Sequence, residues 1–319
     1  MKKLLIVFSK FFLISAIIYC LVVILLYITD CPVLNTNIPK KKDRRGSFTA
    51  RKLEEVKNEK QVDIMILGSS LAYRNYNIRV FQSKYYNSFN LGTSAQKPNM
   101  TYIIAKKYLL DTSPKLVVID VNPYLLLMHD NFETTDVIIN SSKSIYDFNL
   151  LTTAPSLIAL NALIIKYTGL AEKYRLEKVK DSTSESGDQY LGNGFVGSKV
   201  IYDAAKKTSE INISNYKPSN IQMESFEKLL EFIKSNKINY ILVLSPINEH
   251  YFRNTSKISV NQFRNLSKIY FAKYGNYIDS NDLEKYDKTE FMDFSHLNET
   301  GSKKFTNSIV PIIERKIKK

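Results

Sequence analysis

Five short apolar runs, each closed by a polar or turn residue, restrict what this chain can fold into more than any other feature. They are VDIMIL (62–67), NSFNL (87–91), KLVVIDV (115–121), YILVL (240–244) and NYID (276–279). Most are continuously apolar rather than alternating, the pattern of strands covered on both faces. Helical patterns intervene at 48–60, 99–110, 220–236 and 259–274, and the chain closes with an amphipathic stretch, 301–319, that ends in lysines. Apolar strands separated by helices predict an α/β domain with a parallel sheet of about five strands flanked by helices. Residues 124–219 break the alternation and form an insertion expected to be mostly helical. Within it, APSLIALNALIIKYTGL (154–170) is apolar but short for a bilayer span and is broken by Asn161 and Lys166. Two readings of it stand, a buried helix of the inserted subdomain or a helix lying against a membrane or membrane partner. Residues 180–189 read as a polar loop.

The N-terminus carries Lys2, Lys3 and Lys10 and then 18 uncharged residues from Phe11 to Ile28. With the apolar Leu4–Phe8 segment, this is long enough to cross a bilayer as a helix. A signal peptide would have a shorter apolar region and small residues at its end. The expectation is an uncleaved single-pass anchor (1–30), a basic tether (31–47) with Lys40, Lys41, Lys42, Arg44 and Arg45, and a folded domain (48–319). The first flank favours a cytoplasmic N-terminus and an extracytoplasmic body at the plasma membrane. No cysteine follows Cys31, so disulfides and thiolate metal sites are excluded from the domain.

The formal charge is +14, but residues 1–45 hold eight Lys/Arg against two Asp, leaving +8 for the other 274 residues. Zinc spacing, a basic heptad region and an RNA-binding aromatic signature are all missing, which argues against a nucleic-acid partner. A basic surface beside anionic lipid or an anionic envelope polymer accounts for the charge. Three histidines and no cysteine in the domain argue against a transition-metal site, and no cofactor motif is present.

In an open parallel sheet, the loops that leave the C-terminal strand ends meet at one crevice. Those loops carry Gly68-Ser69-Ser70 after the first run, Gly92-Thr93-Ser94 after the second, and Asp120-Val121-Asn122-Pro123 after the third. Asp293-Phe294-Ser295-His296 follows the fifth. Together they supply a hydroxyl nucleophile, a side-chain amide and an Asp–His pair, the inventory for acyl transfer. The pair has a second reading, in which Asp293 and Ser295 cap the final helix and His296 is a bystander. Arg74, four residues past Ser70, is a candidate for an anionic acceptor, or else a solvated helix residue. His250, after the fourth strand, is a candidate for the pocket rim, whereas His129 reads as a loop residue.

The order Gly-x-Ser, Gly, Asn and a C-terminal Asp-x-x-His resembles the SGNH/GDSL hydrolase superfamily, over roughly residues 60–123 and 238–319. That resemblance implies a flavodoxin-like sheet with Ser70 as nucleophile, His296 as base and Asp293 as its carboxylate. It implies Gly92 and Asn122 as oxyanion donors, beside the Ser70 amide. Ser69 stands where the commonest family motif has Asp, and Asn122 lies in DVNP rather than Gly-x-Asn-Asp. The Gly-Ser-Ser form behind an N-terminal anchor is similar to the branch that includes the D-alanine transfer protein of lipoteichoic acid synthesis and the SGNH proteins of polysaccharide O-acetylation. The branch implies an acyl donor, an envelope glycan or polyol acceptor, and a multispanning membrane acyltransferase as partner. The alternatives are an anchored esterase or glycan deacetylase, and a non-catalytic scaffold of the same fold.

Overall fold

The structure, a computed structural model, describes residues 1–31, 34, 47–127, 132–153, 155–172, 175, 187–202, 217–249 and 258–318. Strands β1 (Ile64–Leu67), β2 (Ser88–Asn90), β3 (Leu116–Asp120), β6 (Asn239–Leu244) and β7 (Tyr277–Asp279) form one sheet in the order β2-β1-β3-β6-β7. Every pairing in it is parallel. This is the flavodoxin-like doubly wound order, whose direction of winding reverses between β1 and β3. The expected runs sit on these strands, with ends shifted by one or two residues.

Alternate side chains of each strand enter opposite layers, as the period of two requires. Met65, Leu67, Val117, Ile119 and Leu242 pack into one cluster, with α5 (Pro98–Thr112) and α9 (Asn220–Ser235). Ile64, Ile66, Leu116, Val118, Ile241 and Val243 pack into the other, with α3 (Ser70–Asn75), α4 (Ile78–Gln82) and α11 (Glu299–Ile317). Each such side chain contributes about 1.5–3 kcal/mol on burial, and both faces of the strands are used. Helix α10 (Val260–Phe271) starts with a full capping box between Ser259 and Gln262.

Helix α2 (Ser47–Glu55) precedes the sheet and buries Leu53 and Lys52. The insertion supplies α6 (Phe132–Asn140), α7 (Tyr146–Thr153) and α8 (Leu157–Thr168), then an antiparallel hairpin of β4 (Asp188–Tyr190) and β5 (Val196–Ser198). The stretch expected as a polar loop therefore runs into a strand at Asp188; residues 180–186 of it lie outside the described residues. Helix α8 keeps Ala159, Ala162, Leu163 and Ile165 buried, as the subdomain reading expects.

Helix α1 (Lys2–Ile28) is long and apolar enough to cross a membrane. Residues 1–18 are exposed, whereas Val23 and Tyr27 join the core cluster. The basic residues of the tether lie outside the described residues.

Candidate active site

The site begins where β1 ends. Gly68 takes φ +145°, and a Cβ there would meet the Asp120 Cβ at 2.8 Å and the Ala72 Cβ at 3.0 Å. Both backbone and space therefore require glycine. Ser69 follows in extended conformation and caps α3, its Oγ accepting the Leu71 amide at 3.3 Å. Serine serves as N-cap as readily as Asp does, so the departure at Ser69 keeps the turn. It also sets Ser70, half-exposed, as the first residue of α3 at the C-terminal edge of the sheet.

The second half of the site is a closed loop before α11. Phe291 and Leu297 pair as an antiparallel bridge, and the Met292 amide donates to the His296 carbonyl at 2.9 Å. Inside it, Asp293 Oδ1 accepts the amides of Ser295 and His296, both at 2.8 Å. Its Oδ2 faces His296 Nδ1 at 2.7 Å, and His296 Nε2 lies 2.8 Å from Ser70 Oγ. An ionised carboxylate only accepts, so Nδ1 carries the proton and Nε2 accepts from the Ser70 hydroxyl. Burial alone would raise the Asp293 carboxyl, but the imidazole and the two amides outweigh it and hold it down at about 2. Asn298, not Asp293, caps α11: its Oδ1 accepts the amides of Thr300 and Gly301, both at 3.1 Å. The capping alternative thus falls to a residue five positions later.

Further side chains hold these two halves in register; sequence reasoning placed Asp120 among the strand-end residues without a role and passed over the others. Buried Asn75, at the far end of the helix that starts with Ser70, accepts the Leu297 amide at 3.0 Å. One short helix thereby carries Ser70 at its start and holds Leu297, the residue after His296, at its end. Asn248, beyond β6, donates to the Asp293 carbonyl at 3.2 Å. Asn90, closing β2, donates to the Ala72 carbonyl at 2.8 Å and accepts the Gly92 amide at 2.9 Å. Lys52 of α2, 1% exposed, donates to the Gly92 carbonyl and lies 4.3 Å from the Tyr73 ring centroid. Burial is the main cause that brings its amine down to about 7. Asp120 ends β3 and is 4% exposed; its Oδ2 accepts from Tyr76 at 3.1 Å and from the Ser245 hydroxyl. Its Oδ1 has no hydrogen-bond partner among the described residues, and burial pushes the carboxyl up to about 7 against those two hydrogen bonds. The only trace of Asn90 and Asp120 in the sequence is a polar residue one position before the end of an apolar run; Asn75 and Lys52 leave none.

Of the other expected residues, Gly92 sits where a Cβ would meet Ala72 Cβ and the Ser69 carbonyl, both at 2.8 Å. Its amide, expected as an oxyanion donor, donates instead to Asn90, so Gly92 serves the close approach of the β2 loop to the start of α3. Asn122 accepts the Tyr124 amide on Oδ1 at 2.9 Å, which fixes its carboxamide with Nδ2 as the remaining donor. With Gly68, Gln96, Asp120 and Leu125 it lines a cleft of about 20 Å³, room for a single water. Arg74 departs from both of its expected readings. It forms a two-pronged pair with Asp188, at 2.9 and 2.6 Å, and is only 13% exposed on its side chain. Its guanidinium is spent on tying the β4–β5 hairpin to α3. His250 and His129 lie outside the described residues.

No family model matches the chain, and no curated protein matches it. Among solved structures, a protein from Bacteroides fragilis assigned as an acylhydrolase is similar at 12% identity and TM-score 0.43, over 85% of this chain and 98% of that one. A GDSL-like lipase from Bacteroides thetaiotaomicron is similar at 12% identity and TM-score 0.42, over 85% and 99%. Likeness this distant says nothing of activity, which has to be argued from the site.

Proposed function

We propose that the chain is a serine-dependent acyl-ester enzyme of the SGNH type, anchored in the plasma membrane with its domain outside, that passes an acyl group to a hydroxyl of an envelope glycan or polyol. The observation that carries the chemistry is the unbroken hydrogen-bond chain from Asp293 through His296 to Ser70. His296 Nε2 takes the Ser70 proton as Oγ attacks the ester carbonyl, and Asp293 balances the imidazolium that forms. The tetrahedral oxyanion is met by the Ser70 amide, since the Leu71 amide is held by Ser69, and by Asn122 Nδ2. His296 then gives the proton to the departing alcohol, leaving Ser70 acylated. The acceptor hydroxyl repeats the sequence in reverse, with His296 as its base.

The apolar length of α1 supports the membrane location. Water in place of the acceptor would make the same site an esterase, and the steps up to the acyl-enzyme are identical. The reading is tested with a serine-directed fluorophosphonate probe on the detergent-solubilised chain. Labelling is expected on wild type and lost in both Ser70→Ala and His296→Ala. A well-folded wild type that resists the probe would overturn the catalytic reading in favour of the scaffold. With labelling established, acyl-loaded enzyme given sugar hydroxyls should yield acylated sugar faster than free acid; free acid alone would leave the esterase.

A further inference from the structure

Helices α7 and α8 form a hairpin whose charge distribution is unusual for an exterior element. Residues 148–165 contain no charged side chain, and Asp147 and Lys166 bracket that run. The two bracketing residues pair at 2.7 Å at the base of the hairpin, with side-chain exposures of 0% and 4%, and Lys107 joins them. At the other end, Pro155 is exposed and Leu157 is 69% exposed. The first turn of α8 is closed internally, Ser156 Oγ accepting the Ala159 amide at 3.0 Å.

This hairpin is also what α1 leans on. Tyr19 is the first residue of α1 to be partly covered, and its hydroxyl donates to Asn161 Oδ1 at 2.7 Å. Burial fades toward the N-terminus on both helices: from Tyr27 and Val23 to the exposed Lys2–Ile18 of α1, and from Ile165 to Leu157 on α8.

The position of Lys10 decides what this means. Were the free part of α1, residues 1–18, to span alone, it would cover about 27 Å at ~1.5 Å per residue and would put Lys10 near the bilayer centre. That is among the least favourable placements for a side chain. A span from Phe11 to Ile28 keeps Lys10 at the boundary. It then carries Tyr19–Tyr27, and the turn of α8 packed on them, to bilayer depth. The Tyr19–Asn161 bond satisfies two polar groups inside the protein, as that depth demands.

We infer that the α7–α8 hairpin is a membrane-contacting prong whose uncharged tip, at Pro155 and Leu157, enters the acyl region of the bilayer that α1 crosses. The inference rests on α1 being a membrane anchor. Two contacts with the bilayer instead of one restrict the tilt of the domain, so that the crevice faces substrate at a set height. The occupant of the tip is lipid, because the tip carries no charge and the same helix is bonded to the anchor at Asn161, four residues past Leu157.

The test uses the full chain in nanodiscs of phosphatidylcholine and phosphatidylglycerol, with Cys20→Ser and Cys31→Ser as background. Single labels go on through Leu157→Cys, Phe12→Cys and Tyr85→Cys; Tyr85 is 97% exposed and serves as the water reference. Quenching of a thiol-linked fluorophore by doxyl-labelled lipid is compared with quenching by aqueous iodide. The expected result is a lipid-to-iodide quenching ratio several-fold higher at positions 12 and 157 than at 85. Lipid quenching at 12 with iodide quenching at 157 would overturn the prong and leave the anchor standing. Shielding of 157 from both quenchers would overturn it in favour of a protein partner on that tip. A water-like ratio at 12 would refute the anchor and the prong with it.

Discussion

The carboxylate of Asp293 divides its labour between its two oxygens. One folds the loop through the Ser295 and His296 amides, and the other orients the imidazole. Asp293→Asn retains an acceptor for the loop but removes the charge that balances an imidazolium. It is expected to leave the fold intact and lower the rate of acyl-enzyme formation by roughly 10³–10⁴-fold, measured as kcat/KM on an activated acetate ester. A drop under about tenfold would sink the orienting role. Asp120 is the opposite kind of carboxylate, with burial raising its pKa from 3.8 to about 7. The folded state then binds a proton that the unfolded state releases between those values. Stability from this group is complete below pH 3.8 and is lost as pH rises toward about 7, with a slope of about 1.4 kcal/mol per pH unit. Asp293, held down at about 2, acts only below 3.8 and in the opposite sense, gaining as pH rises. Urea unfolding at pH 5 and pH 7 should therefore show wild type losing stability relative to Asp120→Asn; parallel behaviour of the two would contradict the burial argument.

At the scale of elements, the two halves of the site are separated by more than two hundred residues and meet because α3 and α11 share a layer. Asn298 starts α11 and Asn75 ends α3, on either side of the loop that carries His296. Their effects should differ. Asn298→Ala removes a cap, and is expected to cost about 1 kcal/mol in urea unfolding while fluorophosphonate labelling stays near wild type. Asn75→Ala strands the buried Leu297 amide, with an expected cost of about 1–3 kcal/mol and slower labelling at unchanged probe affinity. If Asn75→Ala lost only stability, the brace would have no part in setting the Ser70–His296 distance. The strands and most helices were readable because their signals are local. Period, capping residues and run length sit within a few positions of each other, as at Ser259 and Gln262. The β4–β5 hairpin was missed because its strands are three residues each and its stabilising partner, Arg74, is 114 positions away.

Across the whole molecule, the insertion is joined to the sheet domain by the Arg74–Asp188 pair and to α1 by Tyr19–Asn161. Truncating one member of a buried pair leaves the other charge without compensation. Asp188→Asn is expected to destabilise by about 3–5 kcal/mol, and the double variant Arg74→Met, Asp188→Leu to recover most of it. Equal costs for the two would show the pair to be incidental. The linear order of residues was sufficient for the parallel sheet and the apolar N-terminal helix, and for marking Ser70 and the Asp293–His296 pair as candidates at one crevice, because strand ends in such a sheet face one crevice whatever the loops contain. Only the tertiary structure decided that Asp293 serves His296 rather than capping a helix, that the Gly92 amide is taken by Asn90, and that Arg74 is consumed by Asp188. Each of those outcomes is a competition for one donor or acceptor between partners distant in the chain, and such a competition is settled by distance in space, which local pattern does not encode.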